Sequence, residues 1–104
     1  MLRIDGPSDG IATLTLDRPE RKNALSIELR DQISDTLDAL DAFAADESVR
    51  VVVITGAGDA FSSGFDLGEF ETALEDPAFA EKLWASSDRY HRTVLDFPLP
   101  IVPG

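Results

Sequence analysis

The sequence predicts a mixed α/β fold with a partly parallel sheet. Three observations carry that reading. An alternating apolar and polar run lies near the amino end, a long amphipathic helical pattern follows, and a nearly continuous β-branched run comes after it. The order strand–strand–helix–strand–helix–helix–strand is that of a sheet crossed by helices.

Leu2–Asp5 and Ile11–Asp17 read as the first two strands. In the second, Ala12, Leu14 and Leu16 alternate with Thr13 and Thr15, the period of a half-buried strand. Gly6-Pro7-Ser8-Asp9-Gly10 between them suits a hairpin loop longer than a two-residue turn. Asp17–Leu25 is polar and interrupted by Pro19, so it reads as a loop.

Ser26 is a candidate N-cap, with Glu28 favourably placed in the first turn. Leu29, Ile33, Leu37, Leu40 and Ala44 then share one face of a helix, with Asp31, Asp35, Asp38 and Asp41 around it. Asp46-Glu47-Ser48 ends that helix, and acidic residues there oppose its dipole, so its last turn is expected to fray.

Val49–Thr55 is β-branched throughout except at Arg50, as in a parallel strand buried on both faces. Gly56-Ala57-Gly58-Asp59 is a turn. Asp66–Glu75 fits a short helix stopped before Pro77. Phe79, Leu83, Trp84, Tyr90, Val94 and Leu95 mark a longer helix, broken by Phe97-Pro98-Leu99-Pro100. Ile101-Val102 begins another strand close to the end of the chain, which suggests an incomplete sheet. Residues 1–104 contain no repeat, low-complexity stretch or linker, so they read as part of one domain with no internal boundary.

Composition narrows the function. The chain has no cysteine and one histidine, which excludes disulfides, thiolate chemistry and a two-histidine metal site. Neither a signal-type apolar segment nor a membrane-length run is present, so a cytoplasmic protein without a membrane partner is expected. The net charge of −11 argues against nucleic acid as a partner.

Two segments carry the chemistry. The first is Leu16-Asp17-Arg18-Pro19-Glu20-Arg21-Lys22-Asn23-Ala24-Leu25-Ser26. The second is Val52-Val53-Ile54-Thr55-Gly56 followed by Phe61-Ser62-Ser63-Gly64-Phe65-Asp66-Leu67. A loop leading from a strand into a helix can aim backbone N–H groups outward, and a helix start favours negative charge. Gly64 permits close backbone approach. Arg18, Arg21 and Lys22 put three of the nine basic residues within five positions, and local charge governs a phosphate contact within a Debye length.

The pair of segments resembles the crotonase superfamily of enoyl-CoA hydratases and isomerases. Members carry an "RPE-x-x-NALS" segment, a "VVVITG" strand and an "FS-x-G-x-DL" loop in this order. Pro98-Leu99-Pro100-Ile101-Val102 resembles the family's "P-x-P-V-I-A" strand, and the likeness covers almost the whole chain.

The resemblance implies an α/β fold of the crotonase type, a spiral of ββα units of which this is the N-terminal part. It implies hydration of a 2-enoyl-CoA in fatty-acid metabolism. The alternatives are isomerisation, dehalogenation or thioester hydrolysis within the family, or a non-catalytic CoA-binding or assembly module. By the same resemblance the Phe65 N–H is one of two oxyanion donors, and the side chain at 65 matters only for shape. Ser63, Gly64, Asp66 and Leu67 would belong with Phe65 to the substrate- and CoA-binding residues. Arg18, Arg21 and Lys22 would meet the CoA phosphates, with backbone at Ala24 and Leu25 along the pantetheine and adenine. No metal or redox cofactor is implied, coenzyme A being part of the substrate, and a homotrimer or hexamer is expected.

The family's second donor, a glycine, and its acid/base glutamates follow the "P-x-P-V-I-A" strand, beyond Gly104. The 104 residues alone are therefore expected to be inactive. Val102-Pro103-Gly104 departs from the alanine-rich continuation of the family.

Other features read as structural. Gly56-x-Gly58 lacks the third glycine of a dinucleotide fingerprint, position 61 being Phe. His91 reads as a packing or surface residue, Trp84 as core, and Asp66 as an N-cap or loop brace rather than an acid. Ser62 and Ser63 have no histidine nearby in sequence. Glu69, Glu71 and Glu75 read as an acidic helix surface.

Overall fold

The computed structural model describes residues 1–44, 48–58 and 61–103. Its elements in chain order are β1 (Leu2–Ser8), β2 (Ile11–Leu16), a 3-10 turn (Pro19–Arg21), α1 (Ile27–Ala44), β3 (Val51–Gly56), α2 (Leu67–Glu75), α3 (Pro77–Asp96) and β4 (Ile101–Pro103). The strands form one sheet in the order β1-β2-β3-β4. β1 and β2 are antiparallel, whereas β2, β3 and β4 are mutually parallel. Each parallel connection passes through helix, α1 between β2 and β3 and α2–α3 between β3 and β4.

The first hairpin is tighter than the sequence suggests. β1 continues through Gly6 and Pro7 to Ser8, which pairs with Ile11, leaving Asp9 and Gly10 as a two-residue turn. Both turn residues have positive φ, 52° and 81°, the requirement of such a turn between twisted strands. The apparent loop residues are absorbed by a register shift between Asp5 and Ser8.

The core lies between one sheet face and α1. Ala12, Leu14 and Leu16 of β2 and Val52 and Ile54 of β3 meet Leu29, Ile33, Leu37 and Leu40 of α1. The alternation in β2 holds, its threonines being half-buried. β3 differs from the expectation of burial on both faces: Val51, Val53 and Thr55 are only half-buried, although they follow the β-branched pattern of a doubly covered strand.

Ser26 begins α1 as expected, its Oγ accepting the Leu29 N–H at 3.2 Å. The expected end of that helix at Asp46 and Glu47 lies outside the described residues, as does Asp59 of the expected turn. α3 runs in the same direction as α1. Ser86 donates to Asp31 at 3.0 Å, and Arg89 reaches Asp35 and Asp38 at 2.7 and 3.0 Å.

Trp84 is not core; it is 58% exposed. The side of α3 turned inward holds Leu83, Ser86 and Ser87, with Tyr90 and Val94 packed against the core. Leucine at 83 takes the inward position and leaves its neighbour outside.

Candidate functional site

Two loops leave the sheet side by side at the carboxyl ends of parallel strands. Leu16 of β2 pairs with Gly56 of β3, and the Ala57 N–H donates to the Leu16 carbonyl at 2.8 Å. The crevice beyond such strand ends is the usual ligand position in parallel sheets.

Asn23 organises the first loop. It is completely buried with φ of 56°, following Lys22 at 51°. Asparagine tolerates this left-handed conformation better than most residues. Its Oδ1 accepts the Arg18 N–H at 2.8 Å, and its Nδ2 donates to the Ala57 carbonyl at 2.9 Å. The side chain thus closes its own loop and ties it to the exit of β3.

A ladder of polar contacts joins the two loops. The Ser63 N–H donates to the Lys22 carbonyl at 2.9 Å, Ser62 Oγ to the Asn23 carbonyl at 2.8 Å, and the Leu25 N–H to the Gly64 carbonyl at 2.7 Å. The Asp66 N–H donates to the Leu25 carbonyl at 3.4 Å. Leu25 and Phe65 therefore form a parallel bridge.

This bridge sets the direction of the Phe65 N–H. In a parallel bridge, one residue bonds to the neighbours on either side of its partner, and the partner's own N–H points the other way. The N–H groups of Ser63, Gly64 and Asp66 are all engaged, that of Gly64 by Ser62 Oγ at 3.0 Å. Among the described residues the Phe65 N–H has no acceptor. Gly64 has φ of 91°, and a Cβ added there would meet nothing within 4 Å. Backbone conformation, not crowding, requires glycine at this position.

One recess is lined by Arg21 and Ala24 from the first loop and by Ser63, Phe65, Asp66, Leu67 and Gly68 from the second. It therefore collects residues from both sequence segments. Arg21 and Lys22 are exposed. Arg18 is placed differently: its Nη1 donates to the Ala24 carbonyl and to Asp66 Oδ2, each at 3.1 Å, and its side chain is only 15% exposed. It braces the loop from within.

Asp66 is the N-cap of α2. Its Oδ1 accepts the N–H groups of Gly68 and Glu69 at 2.9 and 3.3 Å. Burial works to raise its pKa, but the Arg18 hydrogen bond, the two N–H groups and the Arg18 charge outweigh it, holding the carboxyl below its usual value. A carboxylate so engaged suits bracing better than proton transfer. Glu69 also has a structural partner, its Oε1 accepting the Ile27 N–H at 2.9 Å, which locks α2 onto the start of α1.

The Phe65 side chain has more contacts than a role in shape alone suggests. Its ring centroid lies 6.2 Å from that of Phe70 and 5.9 Å from that of His91, and the Arg30 guanidinium carbon sits 4.3 Å from it. Phe70 in turn meets Trp84 edge-on at 6.0 Å. His91 Nδ1 lies 2.7 Å from the Ser87 carbonyl, so its role includes both helix contact and ring packing.

Arg30 is the residue that pattern reading overlooks. It is 1% exposed, beside a helix face defined by leucines and isoleucine. Its spacing to Ile33, Ser34 and Leu37, all buried, shows that the inward face of α1 is wide enough to include it.

Residues 6–103 match the family model for enoyl-CoA hydratase/isomerase. Enoyl-CoA hydratase AKT3-2 of Alternaria alternata is 45% identical over 69 residues, which are 65% of this chain and 22% of that relative. The 4-chlorobenzoyl coenzyme A dehalogenase-2 of an Arthrobacter species is 45% identical over 62 residues, 60% of this chain and 21% of the relative. The crystal structure of enoyl-CoA hydratase from Mycobacterium smegmatis superposes with a TM-score of 0.82 at 34% identity, covering 98% of this chain and 38% of that one. The chain thus spans about a fifth of these curated relatives. Its four-stranded sheet is an incomplete crotonase fold. The chain belongs to the enoyl-CoA hydratase/isomerase family.

Proposed function

We propose that this chain contributes the CoA-facing loops and one oxyanion donor of an enzyme that hydrates 2-enoyl-CoA thioesters. The observation that carries the reading is the unengaged Phe65 N–H, aimed away from the Leu25 bridge and bordering a recess that both loops line. As water adds to the β-carbon, charge moves onto the thioester oxygen. A fixed N–H at that oxygen is worth about 2.7–4 kcal/mol in comparable sites. The donor is held before the substrate arrives, so little reorganisation is required during reaction.

Arg21, exposed at the edge of the recess, and its exposed neighbour Lys22 give an acidic chain a local positive patch for the CoA phosphates. Arg18 keeps the loop in shape behind them. In this reading the second donor and the acid/base carboxylates come from residues outside these 104, and catalysis is completed in a cytoplasmic trimer or hexamer. Coenzyme A enters as part of the substrate, and no metal or redox cofactor is assigned.

A second reading within the family has its own support. Phe65, Phe70, Trp84 and His91 form a run of ring contacts beside the donor. Such a surface favours a flat aromatic acyl group, and one relative is a 4-chlorobenzoyl-CoA dehalogenase. Assay of the complete protein separates the two. Loss of the conjugated thioester absorbance with a short 2-enoyl-CoA supports hydration. Chloride release from 4-chlorobenzoyl-CoA without enoyl turnover supports dehalogenation. Absence of both reactions, with no CoA binding, would refute either enzyme.

A further inference from the structure

Burying a guanidinium is costly, and α1 could fill position 30 with an aliphatic side chain. Arg30 is nevertheless 1% exposed. Only its Nη1 has an acceptor, the Leu25 carbonyl at 2.5 Å, while Nε and Nη2 are buried with no hydrogen-bond partner among the described residues. Among the described residues neither a salt bridge nor a saturated polar network accounts for it, Glu69, Asp31 and Asp66 attracting its charge without a direct ion pair.

Its contacts point elsewhere. The Leu25 carbonyl that receives Nη1 also receives the Asp66 N–H, and the guanidinium lies over the Phe65 ring at 4.3 Å. Arg30 therefore touches both halves of the Leu25–Phe65 bridge, one through a hydrogen bond and the other through the ring face. A rigid planar cation can hold both contacts, whereas an ammonium would satisfy one and strain to reach the other. The same bridge sets the direction of the unengaged N–H.

We propose that Arg30 is a positioning residue of the oxyanion loop, clamping the Leu25 carbonyl and the Phe65 ring so that the Phe65 N–H stays aimed at the thioester oxygen. Its fixed charge behind the loop also adds positive potential where the enolate develops. The inference rests on the acyl-CoA reading above. It assigns a role to a residue that touches neither substrate nor reacting atoms.

The test uses the complete protein and a conjugated cinnamoyl-CoA thioester as probe. Polarising its carbonyl shifts the absorbance to the red on binding, which, read by stopped flow before any hydration, reports the oxyanion contact separately from turnover. Arg30→Met should bind the probe within about threefold of wild type, lose at least about half of the red shift, and lower kcat roughly 10- to 100-fold at nearly unchanged KM. Arg30→Lys, which restores charge without the planar fork, should recover part of both. If Arg30→Met does not fold, Arg30→Lys and Phe65→Leu decide, each expected to diminish the shift while binding persists. Binding with the full red shift and wild-type kcat in the folded variants would overturn this inference alone. A wild-type protein that does not bind the probe would overturn the acyl-CoA reading, and this inference with it.

Discussion

Arg18 and Asp66 stand 48 positions apart in the chain, and Arg18 Nη1 lies 3.1 Å from Asp66 Oδ2. The pair joins the two loops through side chains where the Leu25–Phe65 bridge joins them through backbone. Asp66 also caps α2, so one carboxylate fixes both the loop and the helix start.

The depressed pKa of Asp66 has a definite sign in stability. A carboxyl held below its unfolded value contributes stability above about pH 3.9, the ordinary aspartate pKa, and the contribution is lost as pH falls through the folded value. Asp66→Asn should flatten the acid limb of a melting-temperature profile below about pH 4 while keeping most of the capping. Asp66→Ala should cost about 2 kcal/mol near neutral pH, from the lost cap and an unpaired Arg18. An unchanged acid limb in Asp66→Asn would show that the ion pair carries no linkage.

Asn23 should be among the least replaceable residues of the first loop. Asn23→Ala removes a buried acceptor and a buried donor and places alanine at φ of 56°, for a cost of about 2–4 kcal/mol. Asn23→Gly loses the same bonds without the backbone strain and should be milder by about 1 kcal/mol. Urea titration measures both. Equal losses would mean that the positive φ relaxes in the alanine variant.

The two substitutions at Phe65 separate backbone from side chain. Phe65→Pro removes the donor hydrogen without removing a bond of the bridge, which uses the Gly64 carbonyl and the Asp66 N–H. In the complete protein kcat should fall about 10²- to 10³-fold. Phe65→Ala keeps the hydrogen but strips the ring from Arg30. It should lose about 2 kcal/mol of stability while kcat falls no more than roughly tenfold. Comparable kcat values in the two variants would remove the donor assignment.

Much of this arrangement is legible in the sequence because it rests on local signals. The alternation in β2, the apolar spacing of α1 and the proline before α3 each act over a few residues, and all three elements form as their patterns suggest. The first hairpin is less legible because register, not turn composition, decides where pairing resumes, and the shift between Asp5 and Ser8 absorbs residues that resemble a loop. Trp84 eludes the pattern because Leu83 beside it already fills the inward position. The partners of Arg18, Glu69 and Arg30 require long-range placement of α2 and the second loop, which no local spacing encodes.

The exposed basic pair gives a salt-dependent prediction. Arg21 is exposed and lines the recess, and Lys22 beside it in the chain is exposed, whereas Arg18 is engaged internally. Lys22→Glu in the complete protein should weaken CoA binding about 5- to 20-fold at low ionic strength, with the difference shrinking as salt rises. Arg18→Met should instead act through the fold, lowering thermal stability and affinity together with little salt dependence. Calorimetry at two salt concentrations distinguishes them. Unchanged low-salt affinity in Lys22→Glu would remove the phosphate contact from this loop.

The 104 residues taken alone should not catalyse hydration. Among the described residues they offer one unengaged loop N–H at the site, that of Phe65, and the carboxylates of the same loop and helix have structural duties: Asp66 caps α2 and pairs with Arg18, and Glu69 holds the start of α1. Leu67, Leu74, Trp84 and Leu95 are 75%, 87%, 58% and 80% exposed, large apolar side chains whose exposure favours association in water. The expected outcome is no loss of enoyl-thioester absorbance above background, with light scattering that reports association of the isolated chain. Saturable hydration by a monodisperse preparation would reverse this. Glu71 and Glu75, exposed on α2, would then be the first carboxylates to replace, since neither is tied to the fold as Asp66 and Glu69 are.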